Sequence, residues 1–154
     1  MAAGLMYTRG SFYGLPEIIK KYDSNATIAN GDTVVLKASQ LEVGAAAETL
    51  LGVAIQAMTS STVGGGVNCT PGLVVIMDSS STGIVATDAG KYFDTTGGTN
   101  AQAIDISTRE TTYNGAGTAR AFVCTLVNPQ GVNPVLDSDV SVGEFVIVKH
   151  QFIR

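Results

Sequence analysis

Short apolar runs separated by turns rich in Gly, Ser, Thr and Asn set the pattern of this chain. The runs are rich in β-branched residues, which favours strands over helices. The pattern predicts strands at residues 33–37, 50–58, 73–77, 84–87, 91–94, 101–106, 119–127 and 144–153. Many short strands joined by Gly-rich turns indicate an all-β fold, either a compact β-barrel or a jelly-roll-like sandwich.

Three segments depart from this pattern. Pro16 suits the first position of a helix, so residues 16–22 predict a short helical turn. Residues 43–51 are Ala-rich and fit either a short helix or a loop leading into the next strand. Residues 64–72 contain a run of glycines but lack the Lys of a phosphate-binding loop, which favours a flexible hairpin tip.

Residues 1–15 show neither helical nor alternating periodicity and predict an extended N-terminal arm. Residues 16–154 then form a single β-rich domain. The arm has little charge and several glycines, so we expect it to be mobile in the free protein and to order against a partner. The alternative is that it forms an outer strand of its own barrel. The candidate docking residues are Leu5, Met6, Tyr7, Phe12 and Tyr13.

The composition provides few side chains suited to catalysis or metal binding. Charged residues make up 14% of the chain, against about 25% in average globular domains. The chain has one histidine, His150, and two cysteines, Cys69 and Cys124. The cysteines lack metal-ligand spacing and are expected to be small buried or semi-buried thiols rather than a disulfide. His150 is expected at the surface or between subunits, and we predict no catalytic, cofactor or metal residues.

Charge and hydropathy argue against two classes of partner, nucleic acids and membranes. The net charge is −4 and the nine Lys and Arg residues are scattered, which speaks against a nucleic-acid partner. No apolar run approaches the roughly 18 residues of a membrane span. The first residues lack the basic and apolar blocks of a signal peptide, so synthesis in the cytoplasm is expected.

One short motif is similar to an enzyme family. Asp88-Ala89-Gly90 is similar to the opening motif of trimeric deoxyuridine triphosphatases. That family also needs a Pro-Arg-Ser segment, a Gly-Val-Ile-Asp strand and a Gly-rich C-terminal phosphate clasp, and this chain contains none of them. We therefore expect that the protein is not an enzyme.

A second resemblance covers roughly residues 25–127. Its motifs are Asn30-Gly31-Asp32-Thr33-Val34-Val35-Leu36, then Leu51-Gly52-Val53-Ala54, then Asp88-Ala89-Gly90-Lys91-Tyr92-Phe93. Their order, in an acidic Gly/Ala/Thr-rich β-chain, resembles the head decoration (cement) proteins of tailed bacteriophages. The resemblance implies a compact β-barrel or jelly-roll-like fold that sits on the capsid exterior and bridges major capsid subunits.

The expected function is therefore that of a virion structural protein, made in the host cytoplasm, whose partner is the major capsid protein. Residues 122–127 and 145–148 are apolar on both faces, which predicts a homotrimer. The alternative function is a carbohydrate- or receptor-binding β-module of a phage tail or appendage. Sugar sites usually stack ligands on exposed aromatic rings, and the absence of Trp makes that alternative weaker.

Overall fold

The chain is all-β in a computed structural model that describes residues 5–45, 48–79, 84–99, 101–111, 120–127 and 142–152. The side chains of residues 5–7, 9, 86, 126, 127 and 142 lie outside this description. The strands are β1 Leu5–Ser11, β2 Ile19–Ser24, β3 Thr33–Lys37, β4 Gln40–Val43, β5 Gly52–Ala54, β6 Gly65–Asn68, β7 Leu73–Asp78, β8 Tyr92–Thr96, β9 Ala103–Glu110, β10 Phe122–Val127 and β11 Val142–Ile147. The predicted all-β class with a compact β-barrel is confirmed.

Five strands close into a barrel in the order β2-β4-β3-β5-β6. All neighbours are antiparallel except β2 and β4, which run parallel. Its core contains Ile28, Val34, Leu41, Leu51, Ala54, Met58, Val67 and Cys69. Glycine lets β5 and β6 approach closely, since a Cβ on Gly52 would lie 2.0 Å from the Asn68 carbonyl oxygen.

The other six strands form an antiparallel sheet in the order β1-β7-β11-β10-β8-β9. The middle strands are buried on both faces, as all six residues of β7 show. Phe93 and Phe145 meet edge to face in the core of this sheet, with ring centroids 6.0 Å apart. Leu50 and Val53, from the barrel side, belong to the same core cluster. The two β-units therefore share apolar packing.

The apolar runs that predicted a trimer lie in the middle of this sheet. Phe122 on β10 and Phe145 on β11 are fully buried within one chain. Central strands are apolar on both faces because both faces are covered. Their pattern therefore has an explanation inside the single chain, and it does not by itself call for neighbouring copies.

The structure corrects several local predictions. Residues 16–22 do not form a helical turn, because Ile19 begins strand β2. The predicted strand at 84–87 is wrong, because Ala86–Asp88 is a 3-10 turn. The glycine-rich segment is not only a hairpin tip, because Gly65–Asn68 is a barrel strand. Of residues 43–51, Val43 ends strand β4 and the other described ones form no helix.

The N-terminal segment forms an outer strand, as its second expected arrangement has it, but this strand is not part of the barrel. Leu5–Ser11 is an extended outer strand that pairs antiparallel with β7, where Leu5 lies opposite Met77 and Tyr7 opposite Ile76. It belongs to the six-stranded sheet rather than to the barrel. Residues 1–4, and with them part of the predicted arm, lie outside the described residues.

Candidate functional site

Exposed apolar side chains concentrate between the end of β1 and the start of β2. The described residues include nine exposed large hydrophobic side chains, and five of them fall within residues 12–19. Their exposed fractions run from 37% for Ile18 to 65% for Tyr13. We call this set the 12–19 surface: Phe12, Tyr13, Leu15, Ile18 and Ile19. Clustered exposed apolar side chains mark interaction sites on soluble proteins, so this surface is the candidate functional site.

The aromatic end of the surface is fixed to the turn before β7. The backbone N–H of Phe12 donates to the Gly72 carbonyl at 2.8 Å, and the Ser11 hydroxyl donates to the Pro71 carbonyl at 2.7 Å. The ring of Tyr13 lies over Gly72, where a Cβ would come within 2.6 Å of it. Gly72 also has a φ of +64°, a conformation that favours glycine. The two aromatic rings meet edge to face at 6.0 Å.

The aliphatic end is held by the same stretch of chain. The Ile18 N–H donates to the Thr70 hydroxyl at 2.8 Å, and the Cys69 N–H donates to the Ile18 carbonyl at 2.9 Å. Ile19 then pairs with Asn68 at the start of the barrel ladder. Residues 68–72 therefore anchor both ends of the 12–19 surface. An anchored backbone loses less conformational entropy when a partner binds.

His150 lies beneath this anchor and is only 8% exposed, so its predicted surface or inter-subunit position is wrong. Its Nε2 lies 3.0 Å from the Cys69 carbonyl oxygen, and its Nδ1 accepts the Phe152 N–H at 3.1 Å. Burial lowers the pKa of His150, although the bond to the Cys69 carbonyl opposes this effect. Phe152 is exposed, with its ring 6.2 Å from the imidazole.

The candidate docking residues fall in two groups. Phe12 and Tyr13 are exposed and belong to the 12–19 surface. Leu5, Met6 and Tyr7 lie on β1, and their side chains are outside the described part of the structure. Sequence reasoning missed Ile18 and Ile19 because it assigned them to a helical turn. The signal that could have found them is the β-branched pair itself, which favours a strand.

In the Asp88-Ala89-Gly90 motif, the Asp88 carboxylate makes structural hydrogen bonds. The Asp88 side chain is fully buried, and its carboxylate accepts hydrogen bonds from Arg109 at 2.7 Å, the Val85 N–H at 2.9 Å and Lys91 at 3.2 Å. Burial alone would raise the pKa of Asp88, but these three hydrogen bonds outweigh it and lower the pKa. The carboxylate is thus an ionised anchor that joins the 3-10 turn to β9.

Cys69 and Cys124 are both buried thiols, as expected. Burial raises the pKa of the Cys69 thiol, which keeps it protonated. Within the described residues, no group of three or more His, Cys, Asp or Glu side chains is arranged to hold a metal ion. No helix in the same residues has the length and apolar character needed to span a membrane.

No protein-family model, curated protein or solved structure matches this chain.

Proposed function

We propose that this protein decorates the exterior of a bacteriophage head, where it binds the major capsid protein and stabilises contacts between capsid subunits. The observation that carries the proposal is the 12–19 surface, an apolar cluster held by hydrogen bonds on an all-β body. The order of motifs that resembles phage cement proteins supports the choice of partner. The proposed location is the virion, after synthesis in the host cytoplasm.

The mechanism is thermodynamic linkage. A protein that binds the assembled shell, and not its dissociated subunits, stabilises the shell by mass action. Burying each exposed ring of Phe12 and Tyr13 contributes roughly 1.5–3 kcal/mol before ordering costs. Aromatic residues are common binding hot spots, and repetition over many equivalent capsid sites multiplies the effect.

We also propose a homotrimer as the capsid-bound form. Because β10 and β11 are covered within one chain, copies would have to meet through other surfaces. Sedimentation of the free protein and counting of copies on decorated particles test this directly. A monomer in solution together with isolated single copies on the shell contradicts the trimer and leaves the docking proposal standing.

A carbohydrate- or receptor-binding role is the second candidate. The observation that favours it is the exposed aromatic pair of Phe12 and Tyr13, since sugars stack on such rings. A glycan array with the purified protein separates the two functions. Specific glycan binding without capsid binding favours the second.

The test of docking is the double variant Phe12→Ser/Tyr13→Ser. We expect its affinity for empty expanded heads, assembled from the major capsid protein encoded in the same genome, to fall about 100-fold, or about 2.7 kcal/mol. Both rings are largely exposed, so the melting temperature should change little. Point variants are preferable to deletion of residues 1–14, because the deletion also removes β1 from its sheet.

Val63→Ser is the matched control, since Val63 is an apolar side chain outside the 12–19 surface that is 83% exposed. It should bind heads like the unmodified protein. Head binding by the double variant at unmodified affinity would exclude the 12–19 surface as the docking site. Failure of the unmodified protein to bind the heads at all would refute the decoration function.

A further inference from the structure

The barrel and the six-stranded sheet are joined where the chain leaves β11. The Leu50 N–H donates to the Lys149 carbonyl at 2.9 Å, and the Gln151 N–H donates to the Leu50 carbonyl at 2.8 Å. Both amide atoms of the Gln151 side chain bond the backbone of Leu36 on β3. His150 lies between these two contacts, and its side chain reaches to Cys69 at the end of β6. The segment after the sheet therefore fastens three parts of the barrel.

The hydrogen bonds of His150 fit only the neutral imidazole. Because Nδ1 accepts the N–H of Phe152, the ring proton is on Nε2, from which it is donated to the Cys69 carbonyl. A second proton would have to bind at Nδ1. It would then face the Phe152 N–H, so an acceptor would be replaced by a donor and one hydrogen bond would be lost.

Other charged groups do little to compensate a positive charge at this position. Both ring nitrogens are taken by backbone groups, so neither bonds a carboxylate. Among the described residues, the ionisable groups on the segments around the ring are Glu17, Lys20, Lys37, Glu48, Cys69 and Lys149. Of the two carboxylates among them, Glu17 accepts a hydrogen bond from Asn68 and Glu48 is paired with Lys37.

We infer that His150 is an acid-sensitive latch that holds the barrel to the sheet when neutral and weakens this junction when protonated. The inference concerns the chain itself and is independent of what the 12–19 surface binds. Protonation of His150 should nevertheless affect the 12–19 surface, because the backbone of Cys69 is hydrogen-bonded both to His150 and to Ile18. Acid should therefore loosen the anchor under the apolar cluster.

The direction of the pH effect follows from linkage. The pKa of His150 in the folded protein is lowered by burial and so lies below the value of about 6.5 expected in the unfolded chain. The stability contributed by neutral His150 is then fully present above pH 6.5 and is lost as the pH falls below 6.5 toward the folded pKa. Each unit between the two pKa values is a tenfold change in the folded-to-unfolded ratio.

The experiment uses the fact that His150 is the sole histidine. Its imidazole signals in NMR spectra of the full chain can be followed without assignment from pH 8 to pH 4.5. We expect the Nε2–H tautomer and a pKa below 6.5, with loss of hydrogen-exchange protection at the Phe152 amide as the ring titrates. A His150 pKa of 6.5 or above, or the Nδ1–H tautomer, would overturn the inference. These readouts come from the unmodified protein and do not require that a variant folds.

His150→Gln provides the second measurement, because its amide can bond the Cys69 carbonyl and does not titrate in this range. Between pH 7.5 and pH 5 the unmodified protein should lose about 2–4 °C more in melting temperature than His150→Gln. Asp78, whose pKa is raised by burial, and Asp88, whose pKa is lowered, are present in both proteins and cancel in the comparison. Equal losses in the two proteins would contradict the inference.

Discussion

Replacing Asp88 by Ala is expected to lower the free energy of unfolding at pH 7 by about 2–4 kcal/mol. The substitution removes the shared acceptor of Arg109, Lys91 and the Val85 N–H. The two cationic side chains are about one quarter to one third exposed and regain some water, which places the effect toward the low end of this range. Urea denaturation at pH 7 measures the loss.

The matched control is Asp23→Ala. Asp23 is exposed, and its carboxylate accepts the Gly64 N–H at 3.0 Å. The substitution therefore removes a carboxylate and one hydrogen bond to the backbone at a position that is not buried. Its effect should stay below about 1 kcal/mol. A loss at Asp23 equal to that at Asp88 would show that burial is not what makes Asp88 important.

The Asp88 effect also has a pH signature. Its folded pKa is lowered below the unfolded value of about 3.9. Its stabilisation is therefore complete above pH 3.9 and is lost as the pH falls through the folded pKa. The stability difference between the unmodified protein and Asp88→Asn should shrink below pH 3.9. A difference that stays constant down to pH 2 would contradict an ionised Asp88.

Replacing Gln102 by Ala should cost about 2–4 kcal/mol and loosen the barrel from the sheet. The side chain is fully buried next to β9, and its Oε1 accepts from the Thr33 N–H at 2.7 Å and the Thr33 hydroxyl at 3.0 Å. Its Nε2 donates to the Gly44 carbonyl at 3.0 Å. Alanine leaves these barrel groups without partners and opens a cavity. Thermal and urea unfolding measure the loss, and hydrogen exchange at Thr33 locates it.

Two further variants sharpen this test. Gln56→Ala removes an exposed Gln that accepts the Gly66 N–H at 3.2 Å, and it should cost less than about 1 kcal/mol. Gln102→Glu keeps the acceptor but loses the donor to Gly44 and buries a carboxyl group. Burial should raise the pKa of that new group, so Gln102→Glu should recover stability relative to the unmodified protein as the pH falls from 7 to 4. A variant Gln102→Ala as stable as the unmodified protein would refute the bridging role.

Local sequence predicted the strands whose own residues favour extended backbone. Strand β3 occupies Thr33–Lys37 and β7 begins at Leu73, as expected from their β-branched composition. The sequence also identified Phe12 and Tyr13 as docking candidates and the two cysteines as buried thiols. These predictions needed only composition and spacing, because a run of apolar β-branched residues carries its preference in its own side chains.

Contacts distant in sequence decided the rest. Strand β6 is rich in glycine and shows no strand preference, but a Cβ on Gly65 would collide with Met58 and one on Gly66 with Ile55. Glycine at these two positions lets the Met58 and Ile55 side chains pack directly against the strand. The side chains that join barrel to sheet likewise became visible only in three dimensions, since Gln102 lies 69 residues from Thr33 and His150 lies 81 residues from Cys69.

The sequence by itself therefore determined that this chain is an all-β protein with few chemical groups and an apolar N-terminal segment. Only the tertiary structure decided that residues 5–11 pair with β7, that Ile18 and Ile19 join the exposed cluster, and that His150 is buried. The physical reason is that strand pairing and burial depend on partners far along the chain. A residue's type sets its preference for strand or helix, and its tertiary contacts decide whether its side chain is buried or exposed to solvent.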